Sequence, residues 1–192
     1  MSPLKAGIAI AISLVLSGCF LTTSAPLISP EKAEFPLTME IGEKKTLTHC
    51  ERNDEDFTDW SECRPLQLER AEYHYIVTTP DEPDEVYTIR FAPFKGAAAY
   101  SRSEYVFQIS NTNPKDEEHI YGLAKFGGDK LFMGLGNAKF IREETCLSLG
   151  AEYPSVEKSC MKAIDSYDEL QTALRDISDA VQYTMYIAGP DA

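Results

Sequence analysis

Residues 120–135 read IYGLAKFGGDKLFMGL: two runs rich in apolar and aromatic residues, Ile120 to Phe126 and Lys130 to Leu135, joined by Gly127-Gly128-Asp129. Glycine supplies the positive φ that a tight turn demands, so this stretch predicts an antiparallel hairpin. Upstream, from Thr38, the chain uses the same alphabet of β-branched and aromatic residues in short runs separated by turn residues. Tyr73 to Thr79 and Val86 to Phe91 flank a loop holding Pro80 and Pro83, and Tyr105 to Ser110 and Ile120 to Phe126 flank a longer polar loop. These runs predict an antiparallel meander.

The C-terminal third changes period. Ser166 followed by Glu169 is a capping box, and Leu170, Ala173, Leu174, Ile177 and Val181 recur at helical spacing, so one apolar face is available to dock on the sheet. Beyond it Val181, Tyr183, Met185 and Ile187 alternate with polar neighbours, which predicts a closing strand. The expected architecture is α+β: an antiparallel meander sheet, able to curl into a partial barrel, with one C-terminal packed helix.

At the other end, Lys5 precedes an apolar run from Ala6 to Leu16 that is too short to cross a bilayer and closes on Leu16-Ser17-Gly18-Cys19. That tetrapeptide resembles the lipobox of bacterial lipoproteins. The resemblance covers residues 1–19 and says nothing of the mature domain. It implies that Cys19 is alkylated with a diacylglyceryl group, that residues 1–18 are removed as a signal peptide, and that the new amino terminus is acylated. Two or more acyl chains, at about 0.8 kcal/mol per buried methylene, make such an anchor effectively permanent. Phe20 stands where an Asp would argue for inner-membrane retention, so the expected address is the outer membrane, facing the periplasm. Residues 19–35 carry Thr22-Thr23-Ser24, Pro26 and Pro30 without periodicity and read as the lipidated cysteine and its tether. Residues 36–192 form the expected single domain.

Removing 18 of the 192 residues leaves 174, enough for one domain with a real core. The whole chain has a formal charge of −13, and loss of Lys5 with the signal makes it −14. Such a surface repels phosphates, so nucleic acid is not an expected partner, and an envelope protein partner would carry the opposite charge. Cys50, Cys63, Cys146 and Cys160 fall into two local pairs, which in an exported chain favours disulfides Cys50–Cys63 and Cys146–Cys160. Zinc is disfavoured because the chain lacks a Cys-x-x-Cys spacing and only His49 is near.

The loop between Cys50 and Cys63 crowds Glu51, Asp54, Glu55, Asp56, Asp59 and Glu62 together. Glu51, Asp54, Asp56, Asp59 and Glu62 are the one metal candidate, for a hard divalent ion. The EF-hand pattern fails, however, since Asp56 occupies the glycine position, and a solvated acidic loop accounts for the run. No cofactor is expected.

No residue is assigned a catalytic role. Ser155 and Lys158 match Ser-x-x-Lys, but Ser-Asp-Asn and Lys-Thr-Gly are absent. Gly134-Leu135-Gly136 lacks the third glycine of a dinucleotide fingerprint, and His49, His74 and His119 lie in unrelated segments. The strand aromatics, among them Tyr73, Tyr75, Tyr87, Phe91, Tyr100, Tyr105, Phe107, Tyr121 and Phe126, either fill a core or line a mouth for an apolar ligand. The sequence therefore predicts a non-enzymatic, lipid-anchored envelope module that binds or scaffolds a partner, with a carrier of a small apolar ligand or lipid as the alternative.

Overall fold

The computed structural model describes residues 21–52, 60–95, 104–112, 118–150, 160 and 164–189. In chain order the strands are β1 Thr22–Thr23, β2 Lys44–Arg52, β3 Trp60–Arg70, β4 Tyr75–Thr79, β5 Glu82–Pro93, β6 Tyr105–Asn111, β7 His119–Gly127 and β8 Lys130–Leu135. Helices α1 Glu143–Ser148 and α2 Tyr167–Ser178 and strand β9 Met185–Ala188 follow, with single 3-10 turns at Pro30–Lys32 and Ala138–Phe140. The expected hairpin is present: β7 and β8 pair from Gly122↔Leu135 to Gly127↔Lys130, and Gly128 takes φ 67° at the turn.

Every pairing in the sheet is antiparallel, and strands β2 to β8 run as a meander. The last strand changes the outcome. β9 pairs with β2 from Thr48↔Ala188 to Glu51↔Met185 and with β8 from Leu131↔Ile187 to Met133↔Met185. The partial barrel expected from sequence is thus a closed barrel of eight strands. An open meander would leave β2 and β8 with rows of unpaired backbone groups, and one inserted strand satisfies both edges. A second, unforeseen helix, α1, precedes α2.

Alternation along the strands sorts the side chains. Leu47, Leu66, Leu68, Tyr75, Val77, Ile89, Phe91, Phe107, Leu131, Met133 and Ile187 form one buried cluster inside the barrel. Phe91 lies at its centre, with ring centroids 6.0 Å from Tyr75, 6.3 Å from Tyr105 and 6.5 Å from Phe107. Outward positions include Thr46, Gln67, Glu69 and Thr88. This apolar-in, polar-out order is the inverse of a transmembrane barrel.

The second core lies outside the barrel. The apolar face of α2, Leu170, Ala173, Leu174 and Ile177, is fully buried against Ala92, Val106, Tyr121 and Leu123. Ser166 caps the helix by accepting the Glu169 N–H at 3.2 Å, while the Glu169 carboxylate accepts the Asp165 N–H at 2.9 Å. A polar clasp completes the docking: Gln171 Nε2 donates to the Pro93 carbonyl and its Oε1 accepts the Lys95 N–H, both at 3.0 Å.

The tether expected over residues 19–35 is corrected from residue 21 onward. Leu21 is 5% exposed and Ile28 is completely buried, and both belong to the α2-side core. β1 pairs with β7 at Thr22↔Ile120 and Thr23↔His119, and the Glu34 N–H donates to the Phe91 carbonyl at 2.8 Å. Residues 21–35 therefore belong to the folded unit expected only from residue 36, because Leu21, Leu27 and Ile28 bury apolar surface that a free coil would expose.

Candidate functional site

Three features of the barrel bear on what it can bind: its interior and ends, a polar seam on the outer wall, and an aromatic patch on that wall. The end formed by the start of β2 is closed by residues 35–39. The Phe35 ring stands edge-on to Tyr75 at 5.4 Å, and the Arg70 guanidinium lies 4.1 Å above it. The Tyr75 hydroxyl donates to the Leu37 carbonyl at 2.8 Å and accepts the Leu37 N–H at 3.2 Å. Arg70 Nη1 donates to the Met39 carbonyl and Lys45 Nζ to that of Thr38. Burial pushes the Tyr75 hydroxyl up to about 12, so it remains a neutral latch.

Toward the opposite end the inward face turns polar. His49 is the cross-strand partner of Arg64 and of Ile187, in phase with the inward Leu47. Burial, with the Arg64 charge beside it, lowers the His49 pKa to about 4, so the ring is neutral at physiological pH.

The polar seam lies on the outer face of β6 and β7. Gln108 Oε1 accepts the Ile28 N–H at 3.1 Å and the Tyr121 hydroxyl at 3.2 Å, while Gln108 Nε2 donates to Ser110 Oγ at 3.1 Å. The Tyr121 hydroxyl also accepts the Leu27 N–H at 2.9 Å and sits 3.0 Å from Thr23 Oγ1. Ser110 Oγ lies 2.7 Å from His119 Nδ1, a contact made because the two are cross-strand neighbours. The sequence reading passed over Ser110. Its hydroxyl accepts from Gln108, so it is one link in the chain of bonds that seats residues 23–28 on the wall.

The aromatic patch is built by register. Phe132 and Cys50 both face Tyr186 across the sheet, and Trp60 opens β3 beside them. Ring centroids stand 4.9 Å apart for Trp60 and Tyr186, 5.7 Å for Trp60 and Phe132, and 5.8 Å for Phe132 and Tyr186. Lys130 Nζ lies 4.6 Å above the Tyr186 ring, and Cys50 is buried beneath the cluster. Trp60 and Phe132 are half-buried. None of these three aromatics was singled out from the sequence; the available signal was a tryptophan three residues before Cys63 and an aromatic on the polar phase of β8.

Both expected disulfides are formed, Cys50–Cys63 under the aromatic patch and Cys146–Cys160 between α1 and the segment leading to α2. Of the acidic loop, Glu51 is placed, opposite Met185 near the patch; Asp54, Glu55, Asp56 and Asp59, the side chain of Glu62, the Ser155 to Lys158 motif and Cys19 lie outside the described residues. Among the described residues no three His, Cys, Asp or Glu side chains gather as a metal site. Gly134 lies in β8 and Gly136 just after it, and an added β-carbon at Gly136 would stand 3.0 Å from the Tyr121 carbonyl and 3.1 Å from Leu21. Their smallness serves packing. His49, His74 and His119 sit on β2, before β4 and on β7 respectively.

No family model, curated protein or solved structure matches this chain. Among the described residues no helix is long and apolar enough to cross a membrane. A closed, antiparallel eight-strand barrel with α2 packed on its wall is compatible with a binding role.

Proposed function

We propose that this chain is a lipid-anchored, non-enzymatic envelope protein, held at the outer membrane through acylated Cys19 and facing the periplasm, whose barrel binds a basic protein partner. The observation that carries the binding reading is the aromatic cluster of half-buried Trp60 and Phe132 around buried Tyr186 on the outer wall, as against an interior already occupied by packed rings. Aromatic anchors ringed by polar surface are what protein interfaces use, since large rigid rings bury area at small entropic cost. Charge argues for the partner's sign: the acid-rich run from Glu51 to Glu62 adjoins the patch in sequence, and the chain as a whole is strongly acidic.

Placing a photo-crosslinking benzoyl-phenylalanine at Phe132 tests the patch. It should trap one defined basic protein in living cells, and the same probe at exposed Gln67 on β3 should not. Equal capture at both positions, or capture of no basic protein at Phe132, removes the patch as the binding surface. The anchor is tested separately. Wild-type protein should take up a clickable palmitate analogue and Cys19→Ser should accumulate as unlabelled precursor; unlabelled wild type would end the lipoprotein reading.

A carrier of a small apolar molecule is the second reading, with which a closed barrel is compatible. Residues 35–39 would then act as the removable cover of one mouth. Native mass spectrometry of protein taken from the envelope under non-denaturing conditions should then show an apolar adduct, and its absence would leave the outer-wall reading alone.

A further inference from the structure

The anchor, as read above, has almost no slack. Leu21 is already part of the barrel: its N–H donates to the Gly136 carbonyl at 3.0 Å, its carbonyl accepts the Tyr121 N–H at 3.0 Å, and its side chain is buried. A single residue, Phe20, separates it from Cys19. Two residues of fully extended chain span at most about 7 Å, so the acylated cysteine is held within that distance of the wall at Leu21.

The sheet edge beside Leu21 is occupied as well. β1 lies along β7 at Thr22 and Thr23, but from Gly122 onward that same edge of β7 is taken by β8. Leu21 itself stands where β8 ends, its N–H bonded to the Gly136 carbonyl. At that point stands the turn Ala138–Phe140, with Ala138 and Ile141 buried and Lys139 and Phe140 exposed, Phe140 to 43%. The turn is fixed by the Asn137 side chain, which accepts the Lys139 N–H at 2.9 Å, and by the Phe140 N–H donating to the Asn137 carbonyl at 3.1 Å. An exposed aromatic beside a lysine on a rigid turn is suited to a lipid headgroup layer, where the ring sits among the headgroups and the long cation reaches their phosphates.

We infer that the barrel sits directly against the bilayer on the side where β8 ends, in one orientation, with the exposed Phe140 and Lys139 of the turn in the headgroup layer and Leu21 and Gly136 buried behind them. This rests on the lipid-anchor reading. It also assigns the far wall: in the closed ring the β7–β8 junction is opposite β3 and β4, which therefore face away from the membrane. The net negative charge of the chain argues that the short covalent link and Phe140, rather than attraction to anionic lipid, hold this pose.

The test uses mature acylated protein purified from the envelope and placed in phosphatidylcholine nanodiscs that carry a small fraction of gadolinium-chelate lipid. Intact mass first reports the acyl groups. Amide signals of Ala138 to Ile141 should then be attenuated several-fold more than those of Gln67 and Thr78. Inserting ten Gly/Ser residues between Phe20 and Leu21, a coil of about 16–19 Å, should flatten the difference. An unacylated mature protein overturns the anchor and this orientation together. An acylated protein with uniform attenuation overturns the orientation alone, and a gradient unchanged by the insertion overturns the short link as its cause.

Discussion

The Phe107 ring lies over Gly122 inside the barrel, so close that a β-carbon added at Gly122 would stand 2.5 Å from the ring's Cζ. The two are cross-strand partners on β6 and β7, and the Gly134 carbonyl blocks the same space from the β8 side. The ring cannot swing away, since Phe107 is wholly buried and packed toward Phe91. A glycine in a central strand, normally a weakness, here makes room for the Phe107 ring.

Gly122→Ala should therefore destabilise the fold by about 3 kcal/mol or more, the upper range of core overpacking. The urea midpoint of the purified variant measures this. A change below about 1 kcal/mol would mean that the β7 backbone can give way and that the packing is looser than described.

Residues 21–28 are seated by the seam centred on Tyr121, whose hydroxyl accepts the Leu27 N–H and donates to Gln108 Oε1. Tyr121→Phe keeps the ring and removes those bonds. It should cost about 1–3 kcal/mol because the Leu27 amide and Gln108 lose a partner in a buried place. Native-state hydrogen exchange should show the loss concentrated at Leu27 and Ile28, with the interior strands protected as before. Even loss across all strands would show that the segment is not a separately released unit.

The contrast between what could and could not be read from the chain follows sequence separation. The β7–β8 hairpin and the α2 cap were legible because Gly127-Gly128 and Ser166–Glu169 act within four residues of themselves. Closure was not, since Cys50 meets Tyr186 across most of the chain and nothing near either residue announces the partner. Residues 21–35 misled for the same reason: their composition is that of a linker, and the groups that hold them, Gln108 and Tyr121, lie some eighty or more residues away. The aromatic patch needs strand register before Phe132 can be assigned to the outside, and a one-residue slip would have put it in the core.

Asp176 on α2 holds α1 in place. Its Oδ2 accepts the Arg142 N–H at 2.9 Å and its Oδ1 accepts Arg142 Nε at 2.8 Å, and its side chain is 2% exposed. Burial pushes the carboxyl up, but the bonds from Arg142 and Thr145 outweigh it, and the pKa falls below the usual carboxylate value. A carboxyl depressed by folding lends stability above its unfolded pKa and loses it as pH falls through the folded value. Asp176→Asn should cost about 1–2 kcal/mol at pH 7, and the gap from wild type should narrow below about pH 4. A gap independent of pH would show that the charge plays no part.

His49 sets a second pH window with the opposite chemistry and the same sign. Burial and the Arg64 charge lower its pKa from 6.5 to about 4, so the folded chain binds fewer protons than the unfolded chain at any pH between those values. Stability should then rise with pH across that window, its contribution complete above about 6.5 and lost progressively toward 4, on the order of 3 kcal/mol in all. His49→Gln replaces the ring with a polar side chain that does not titrate. It should flatten the pH dependence of the urea midpoint between about 4 and 6.5 while leaving any acid loss from Asp176 at lower pH. Because the comparison is of slopes, a uniform loss of stability in the variant does not obscure it. A wild-type slope retained in His49→Gln would show that another group titrates there and that the ring inside the barrel is not held neutral by its surroundings.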